Sequence, residues 1–450
     1  MNNSSGMWSS RLIFVLAAAG SAVGLGNIWR FPYVTGENGG GVFVIAYLLC
    51  IAVIGLPIMI AEIVLGRAGR SSPISSMQIL ARRSYANSGW QLIGWMGVIA
   101  GFMILSFYSV IAGWALAYLI KMMQGLFVEI DSVAAESLFE NFIGSPQRLI
   151  FWHTAFMSLT IIITARGVGR GLEKAVKFLM PGLFFLLVLL VFWAAATSGH
   201  FLEGLDFMFS PKPEDFSGDS VFLAMGQAFF TLSLGMGAIM AYGAYLPQSS
   251  GIASSALTIG VLDTIVALLS GMIIFPIVFA NQLEPSAGPG LMFVSLPLAF
   301  GNMLGGQIFG SLFFLLVTFA AITSAISISE PAIAWLSEKR RLSRAASAYL
   351  IGFLAWILGL GSALSFNIMN EFTLLPDKTF FDSMDFLSNN ILLPFGGILI
   401  SLFVGWRLDK EILSSQLSEV PSWLLKSLVF SLRFVAPGGI FLVIAMTFVS

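Results

Sequence analysis

The stretch Gly20–Pro32 reads GSAVGLGNIWRFP, with glycines at 20, 24 and 26, a polar Asn27 and a charged Arg30. It lies inside the first long apolar run of the chain. In a helix interior glycine costs roughly 1 kcal/mol against alanine. A charge at mid-bilayer costs at least about 2.5 kcal/mol on insertion scales. A membrane span that carries all of these reads as a helix meant to open.

The composition makes the surroundings a membrane. The chain has 450 residues, a mean hydropathy of +0.91 and only 10% charged residues, against about a quarter in soluble domains. A net charge of −1 argues against a nucleic-acid partner, and the one cysteine, Cys50, excludes a disulfide framework. The start MNNSSGMWSSR lacks a basic leader region and a cleavage site, so the run from Leu12 is expected to be a retained span.

A spanning helix needs roughly 20 mostly apolar residues. Eleven runs qualify: about 12–36, 41–66, 89–123, 149–166, 174–197, 221–246, 253–280, 306–337, 345–363, 386–406 and 423–449. They predict an all-α integral membrane protein with one domain over 1–450. If the N-terminus is cytoplasmic, the inner segments hold 16 of the 22 basic residues, from Arg11 through the cluster Lys339, Arg340, Arg341 and Arg344 to Lys426. The positive-inside rule selects that orientation, which places the C-terminus outside.

The sixth run repeats the feature of the first. FFTLSLGMGAI, Phe229 to Ile239, breaks an apolar helix at Gly235 and Gly237 as the first run is broken at Gly24 and Gly26. Spans one and six each open a block of five, about 11–197 and 221–406, with an eleventh helix at about 423–449. An odd number of spans inverts the second block. Broken helices at matching places in inverted repeats mark the substrate site of many secondary transporters. The competing reading is close helix packing on small residues.

The charges in or beside spans are Arg30, Glu62, Asp263, Glu330, Asp385 and Arg433. Arg30 and Asp385 are expected to meet as an outer lid, unless each snorkels to water on its own. Asp263, in GVLDTIVALL, has no partner on its own helix and suits a cation ligand. Thr323 and Ser324, in FAAITSAISISEP, offer hydroxyls beside helix carbonyls. His153 and His200 form no metal spacing, and no hydrolase motif exists, so an enzyme is not expected.

AAAGSAVGLGNIWRFPYVTGENGGGVF and GQAFFTLSLGMGA resemble the two signatures of the neurotransmitter:sodium symporters, in their bacterial, LeuT-like branch. The resemblance covers essentially the whole chain. It implies the LeuT fold of 5+5 inverted repeats plus an eleventh helix, in a bacterial plasma membrane. It implies two sodium ions and no organic cofactor. The first sodium site resembles a set of the Ala22 carbonyl, Asn27, Thr231 and Asp263. The second resembles the carbonyls of Gly20, Val23 and Ala320 with the hydroxyls of Thr323 and Ser324.

By the same resemblance, a substrate carboxylate would meet the amides of Leu25 and Gly26 and the Tyr108 hydroxyl. Its amino group would meet the carbonyls of Ala22, Phe230 and Thr231, near Ser233. Ile104, Tyr108, Phe230, Met236 and Ile328 would line the side-chain pocket. Monoamine members carry Asp where this chain has Gly24, so a hydrophobic L-amino acid such as tryptophan, phenylalanine or leucine is expected.

Asp263 stands where many members have Asn, and Ala267 where chloride-dependent ones have Ser. The resemblance therefore implies chloride-independent transport. Trp8 fits the family's inner latch beside Tyr245 and Glu338, but the usual Arg is Ser5 here. Gly171 and Pro181 have the spacing at which span five unwinds in this family, or else mark a helix start and a kink. A proton-coupled transporter of the same architecture, and a channel or non-transporting receptor, are the alternative functions.

Overall fold

Opening a helix in lipid frees backbone groups that each cost several kcal/mol unless satisfied, so the architecture is best followed from its breaks. The structure is a computed structural model and describes residues 7–283, 290–340 and 342–447. Ser5 and Arg341 therefore lie outside the described residues. Ser10 caps the first helix, Arg11–Ala22, by accepting from the Ile13 amide. That helix stops where Val23 turns extended, and the chain resumes as Gly26–Glu37 at an angle of 66°. The predicted opening of span one is present.

Nine continuous helices among the described residues are long and apolar enough to cross a bilayer. They are Gly41–Gly69, Ser88–Met123, Pro146–Ala165, Val168–Thr197, Ile252–Ala280, Gly306–Arg340, Arg344–Leu364, Phe380–Arg407 and Ser422–Met446. The bent pair makes a tenth crossing. In the sixth predicted run the chain forms two short helices, Gly218–Thr231 and Ala238–Ala244, with 232–237 non-helical between them. Neither half is long enough to cross alone. Ser217 and Ser220 start the first half with a reciprocal capping box.

Two span starts that bear on predicted site residues differ from the hydropathy reading. The fifth span begins at Val168, so Gly171 and Pro181 both lie inside a continuous helix rather than at an unwound start. The tenth begins at Phe380, which puts Asp385 a turn and a half inside it. The connections also carry more structure than expected. Short helices Pro73–Arg83, Ser132–Ile143, Phe201–Phe209 and Leu291–Gly301 fill them, with a small hairpin of Thr373–Leu375 and Lys378–Thr379. These helices are too short for a window tuned to 20 apolar residues.

Span one is the centre of the bundle. Phe14, Ala18, Ala19 and Val23 are wholly buried, as expected of a helix that is apolar all round. Peripheral spans instead show an aromatic stripe outward: Phe178, Phe185 and Phe192 are each about 70% exposed, seven residues apart on span five.

Two charges that hydropathy left without partners are satisfied between helices. Glu330 is fully buried in span eight and pairs with Arg344 through both carboxylate oxygens, Nη1 donating to Oε1 at 2.9 Å. Tyr245 also donates to Oε1 at 2.7 Å, and Arg344 Nε donates to the Thr164 carbonyl at 3.2 Å. One ion pair thus ties spans four, six, eight and nine. Arg433 donates from Nε to the Gly405 carbonyl and lies 4.9 Å over the Trp406 ring, closing the C-terminal end of span ten.

Removing one partner of a buried pair typically costs 3–5 kcal/mol. Arg344→Ala should therefore lower the melting temperature of the detergent-solubilised protein by more than an exposed control such as Arg82→Ala. A thermal-shift measurement on the purified variants checks this.

Candidate functional site

The extended turn at Val23 leaves the last carbonyls of the first half-helix without their usual partners. Ser324 of span eight faces them. Its Oγ lies 3.4 Å from the Gly20 carbonyl, 3.4 Å from Ser21 and 3.3 Å from Val23. A hydroxyl has one proton, so it cannot serve three acceptors at once. Thr323 beside it donates to the carbonyls of Phe319 at 3.2 Å and Ala320 at 3.0 Å. The result is a buried cluster of neutral, hard oxygens between spans one and eight, which brings together Gly20, Val23, Ala320, Thr323 and Ser324.

A second cluster surrounds Asp263 of span seven, which is wholly buried. Asn27 Nδ2 donates to its Oδ1 at 2.8 Å, Thr231 Oγ1 to the same oxygen at 2.9 Å, and Tyr47 to Oδ2 at 3.2 Å. Asn27 Oδ1 in turn accepts from the Gly24 amide at 3.1 Å. The carboxylate therefore joins the two broken helices. Ala22, the last residue of its half-helix, shares no hydrogen bond with this set among the described residues.

Between the clusters, the position of a side chain at 24 is already taken. A Cβ on Gly24 would lie 2.9 Å from Ser324 Oγ and 3.4 Å from the Tyr108 hydroxyl. That hydroxyl is buried, near the Leu25 backbone and Ser324, yet has no hydrogen-bond partner of full geometry among the described residues. A buried polar atom without a partner points to a ligand or water. Ile104, Met236 and Ile328 are 2–5% exposed. Gly101, on the same face of span three as Ile104 and Tyr108, places them: a Cβ there would lie 3.1 Å from the Ile328 carbonyl and 3.6 Å from that of Met236. Phe230 packs on Gly26, where a Cβ would come within 2.7 Å of its ring.

The break in span six is held from outside. Gly235 and Gly237 take positive φ of 81° and 73°, and Ser233, a non-glycine, takes 53°. Such strain persists only where neighbours fix it. Ser233 donates to the Ser21 carbonyl at 2.8 Å, and Gln227 donates to the Gly26 carbonyl at 3.0 Å. Glu62 of span two, fully buried, accepts from the Gly235 amide at 2.7 Å. The sequence reading counted Glu62 as an intramembrane charge but gave it no role. Its signal was there: an acid inside a span suits the freed amides of a broken helix.

The two ends of the molecule differ. Trp8 is 2% exposed; its indole donates to the Tyr242 carbonyl at 3.1 Å and its amide to the Tyr245 carbonyl at 3.1 Å. Ser9 Oγ donates to Glu173 at 2.6 Å, a contact the sequence did not reveal, and Lys177 holds the same carboxylate at 2.7 Å. Tyr245 meets Glu330, whereas Glu338 accepts from Ser72.

At the other end the expected Arg30–Asp385 ion pair is not formed among the described residues. Arg30 instead lies 5.3 Å over the Phe230 ring, and Asp385 accepts from Asn389 at 2.6 Å. Once Asp385 sits deeper in its helix, the neighbouring amide of Asn389 competes for it. A cavity of about 390 Å³, lined in part by Arg30, Phe230, Asn389 and Met446, opens here.

The sequence profile of the Sodium:neurotransmitter symporter family matches residues 5–129 and 141–450. The chain belongs to this family. The sodium-dependent transporter YhdH of Bacillus subtilis is 38% identical over 97% of this chain and 96% of its own length. A sodium-dependent transporter of Haemophilus influenzae is 35% identical over 98% and 97%. The crystal structure of MhsT in complex with L-phenylalanine superposes with a TM-score of 0.90 at 44% identity, covering 97% of this chain and 98% of that one. The chain is thus a membrane-embedded, sodium-dependent transporter of the LeuT fold, not an enzyme.

Without its acceptor the Gly235 amide is buried and unpaired, a loss of about 1–3 kcal/mol. Glu62→Ala should lower thermal stability and raise deuterium exchange in the peptide spanning 232–237, read by mass spectrometry, while exchange in the Ser132–Ile143 helix stays unchanged.

Proposed function

We propose that the protein is a symporter that carries hydrophobic and aromatic L-amino acids, tryptophan, phenylalanine and leucine among them, together with sodium. The observation that carries this reading is the unpartnered Tyr108 hydroxyl beside Gly24. The neighbouring side chains fill the space that an acidic residue at 24 would need. The substrate therefore brings its own carboxylate, to be met by Tyr108 and the amides of Leu25 and Gly26. Its amino group meets the carbonyls of Ala22, Phe230 and Thr231, near Ser233. Ile104, Met236, Phe230 and Ile328 would line the apolar pocket for its side chain. A relative with L-phenylalanine bound supports this substrate class.

Two sodium ions are assigned. One takes Asn27, Thr231, Asp263 and the Ala22 carbonyl; the other takes Gly20, Val23, Ala320, Thr323 and Ser324. The basic end faces the cytoplasm of a bacterial cell and the C-terminus lies outside, by the distribution of lysine and arginine. Each sodium charge moving inward then gains about 2.3 kcal/mol per 100 mV of membrane potential. Substrate binding draws Arg30 from Phe230 toward Asp385, and release of Trp8 and Ser9 opens the inner end, where Gly171 and Pro181 ease the start of span five. The two broken helices and spans two and seven move against the rest as a body.

Proteoliposomes with a sodium gradient and no pH gradient should concentrate labelled tryptophan and leucine. Accumulation only under a proton gradient would overturn sodium coupling, and failure of unlabelled hydrophobic amino acids to compete would overturn the substrate class. Ser324→Ala should raise the sodium concentration for half-maximal uptake by about tenfold, on the scale of one lost hydrogen-bonding oxygen. Replacing chloride by gluconate should leave uptake unchanged, because Asp263 supplies the fixed negative charge. In Asp263→Asn the sodium response should be lost or become chloride-dependent.

A further inference from the structure

The basic end carries a feature that the transport site does not use. A cavity of about 370 Å³ lies between the end of span four and the start of span five. Arg166, Arg170 and Lys174 line it with apolar Ile163, Ala175 and Phe178. All three cations are exposed, and none has a carboxylate within ion-pair distance among the described residues. Lys177, next along the helix, contrasts with them because it pairs with Glu173. That carboxylate is already committed to Lys177 and Ser9.

Lysines and arginines gather at the inner ends of spans in any membrane protein, so three cations alone would mean little. Here they border a cavity with an apolar wall. Arg170, Lys174 and Phe178 follow one another at four-residue spacing and share a helix face. Phe178 begins the stripe that continues through Phe185 and Phe192, each about 70% exposed. The groove therefore runs from a cationic mouth onto a lipid-facing aromatic surface. A diacyl lipid matches that sequence of surfaces: an anionic headgroup first, acyl chain next. Basic pockets between transmembrane helices recognise anionic headgroups in this way.

We infer that this groove is a binding site for an anionic phospholipid of the phosphatidylglycerol type, with its phosphate held by Arg166, Arg170 and Lys174 and one acyl chain laid along Ala175 and Phe178. The site is separate from the substrate and sodium clusters and does not depend on which amino acid is carried.

The test is native mass spectrometry of the purified full-length protein in detergent. It is titrated separately with dioleoyl phosphatidylglycerol, dioleoyl phosphatidylcholine and inorganic phosphate. Phosphatidylglycerol adducts should appear at lower concentration than phosphatidylcholine adducts. At about fivefold per cation, R166Q/R170Q/K174Q should weaken the tightest adduct on the order of 100-fold. R82Q/R83Q, which removes two cations elsewhere on the same end, should leave it unchanged. A175W keeps every cation but fills the groove, and should also remove the adduct. If the triple variant is not monodisperse, K174Q alone should show the fivefold loss. Equal retention of the two lipids, an adduct unaffected by K174Q and A175W, or displacement of phosphatidylglycerol by inorganic phosphate would overturn the assignment.

Discussion

No backbone group can be left bare inside a bilayer, and the site follows from that constraint. A transmembrane helix is self-satisfied; a broken one is not. Two helices are broken here, and each is completed by side chains, most of them from elsewhere in the fold. Ser324 and Ser233 face carbonyls of the first, Gln227 takes the Gly26 carbonyl, and Asn27 takes the Gly24 amide. Glu62 holds the Gly235 amide of the second. Spans two, six and eight are thereby locked to the centre of the molecule by polar contacts. Lipid offers little hydrophobic drive between helices, so these contacts carry much of the specificity of assembly.

The same completion sets up the two ends as opposites. At the basic end, the indole of Trp8 is sealed between Tyr242 and Tyr245, with ring centroids at 5.2 and 6.1 Å, and Ser9 grips Glu173 at the start of span five. At the other end Arg30 lies over the Phe230 ring and Asp385 accepts from Asn389, with no ion pair between the two among the described residues. The basic end is thus fastened by hydrogen bonds that the opposite end lacks among the described residues. The Ser9–Glu173 contact also fastens the segment leading into span one to the start of span five.

Much of this was legible in the sequence because the membrane simplifies the code. Long apolar runs located the spans, and Gly24, Gly26, Gly235 and Gly237 stood out as departures from it. Asp263, Thr323 and Ser324 were conspicuous as polar groups without local partners. What escaped were the partners: contacts between segments separated in sequence, even where one member, Glu62 or Arg433, stood out as a charge within a span. Ser9 with Glu173, Gly235 with Glu62 and Gly405 with Arg433 are 164, 173 and 28 residues apart. Hydropathy also missed the true start of span five. Val168–Glu173 contains two glycines, an arginine and a glutamate, yet packing against span four holds it helical. The Arg30–Asp385 pairing followed opposite charges, whereas Asn389, four residues on and one turn along the same helix, takes that carboxylate; the i,i+4 spacing was readable, but not which of the two partners wins.

Asp263 brings these threads together. It is a buried carboxylate with donors from three directions: Asn27 of the first break, Thr231 at the second, and Tyr47 of span two. Asn27 and Thr231 each carry an acceptor oxygen as well as a donor. They can satisfy the carboxylate by hydrogen bonding, or present oxygens to a cation that the carboxylate attracts. A mobile anion such as chloride has to arrive with each cycle. A fixed carboxylate stays, and needs neighbours able to serve it whether or not a cation is present. The amide and hydroxyl groups at 27 and 231 have that double capacity, and both sit at the edges of the broken helices. On the proposed reading, ion binding at Asp263 therefore acts directly on the two segments whose rearrangement moves the substrate.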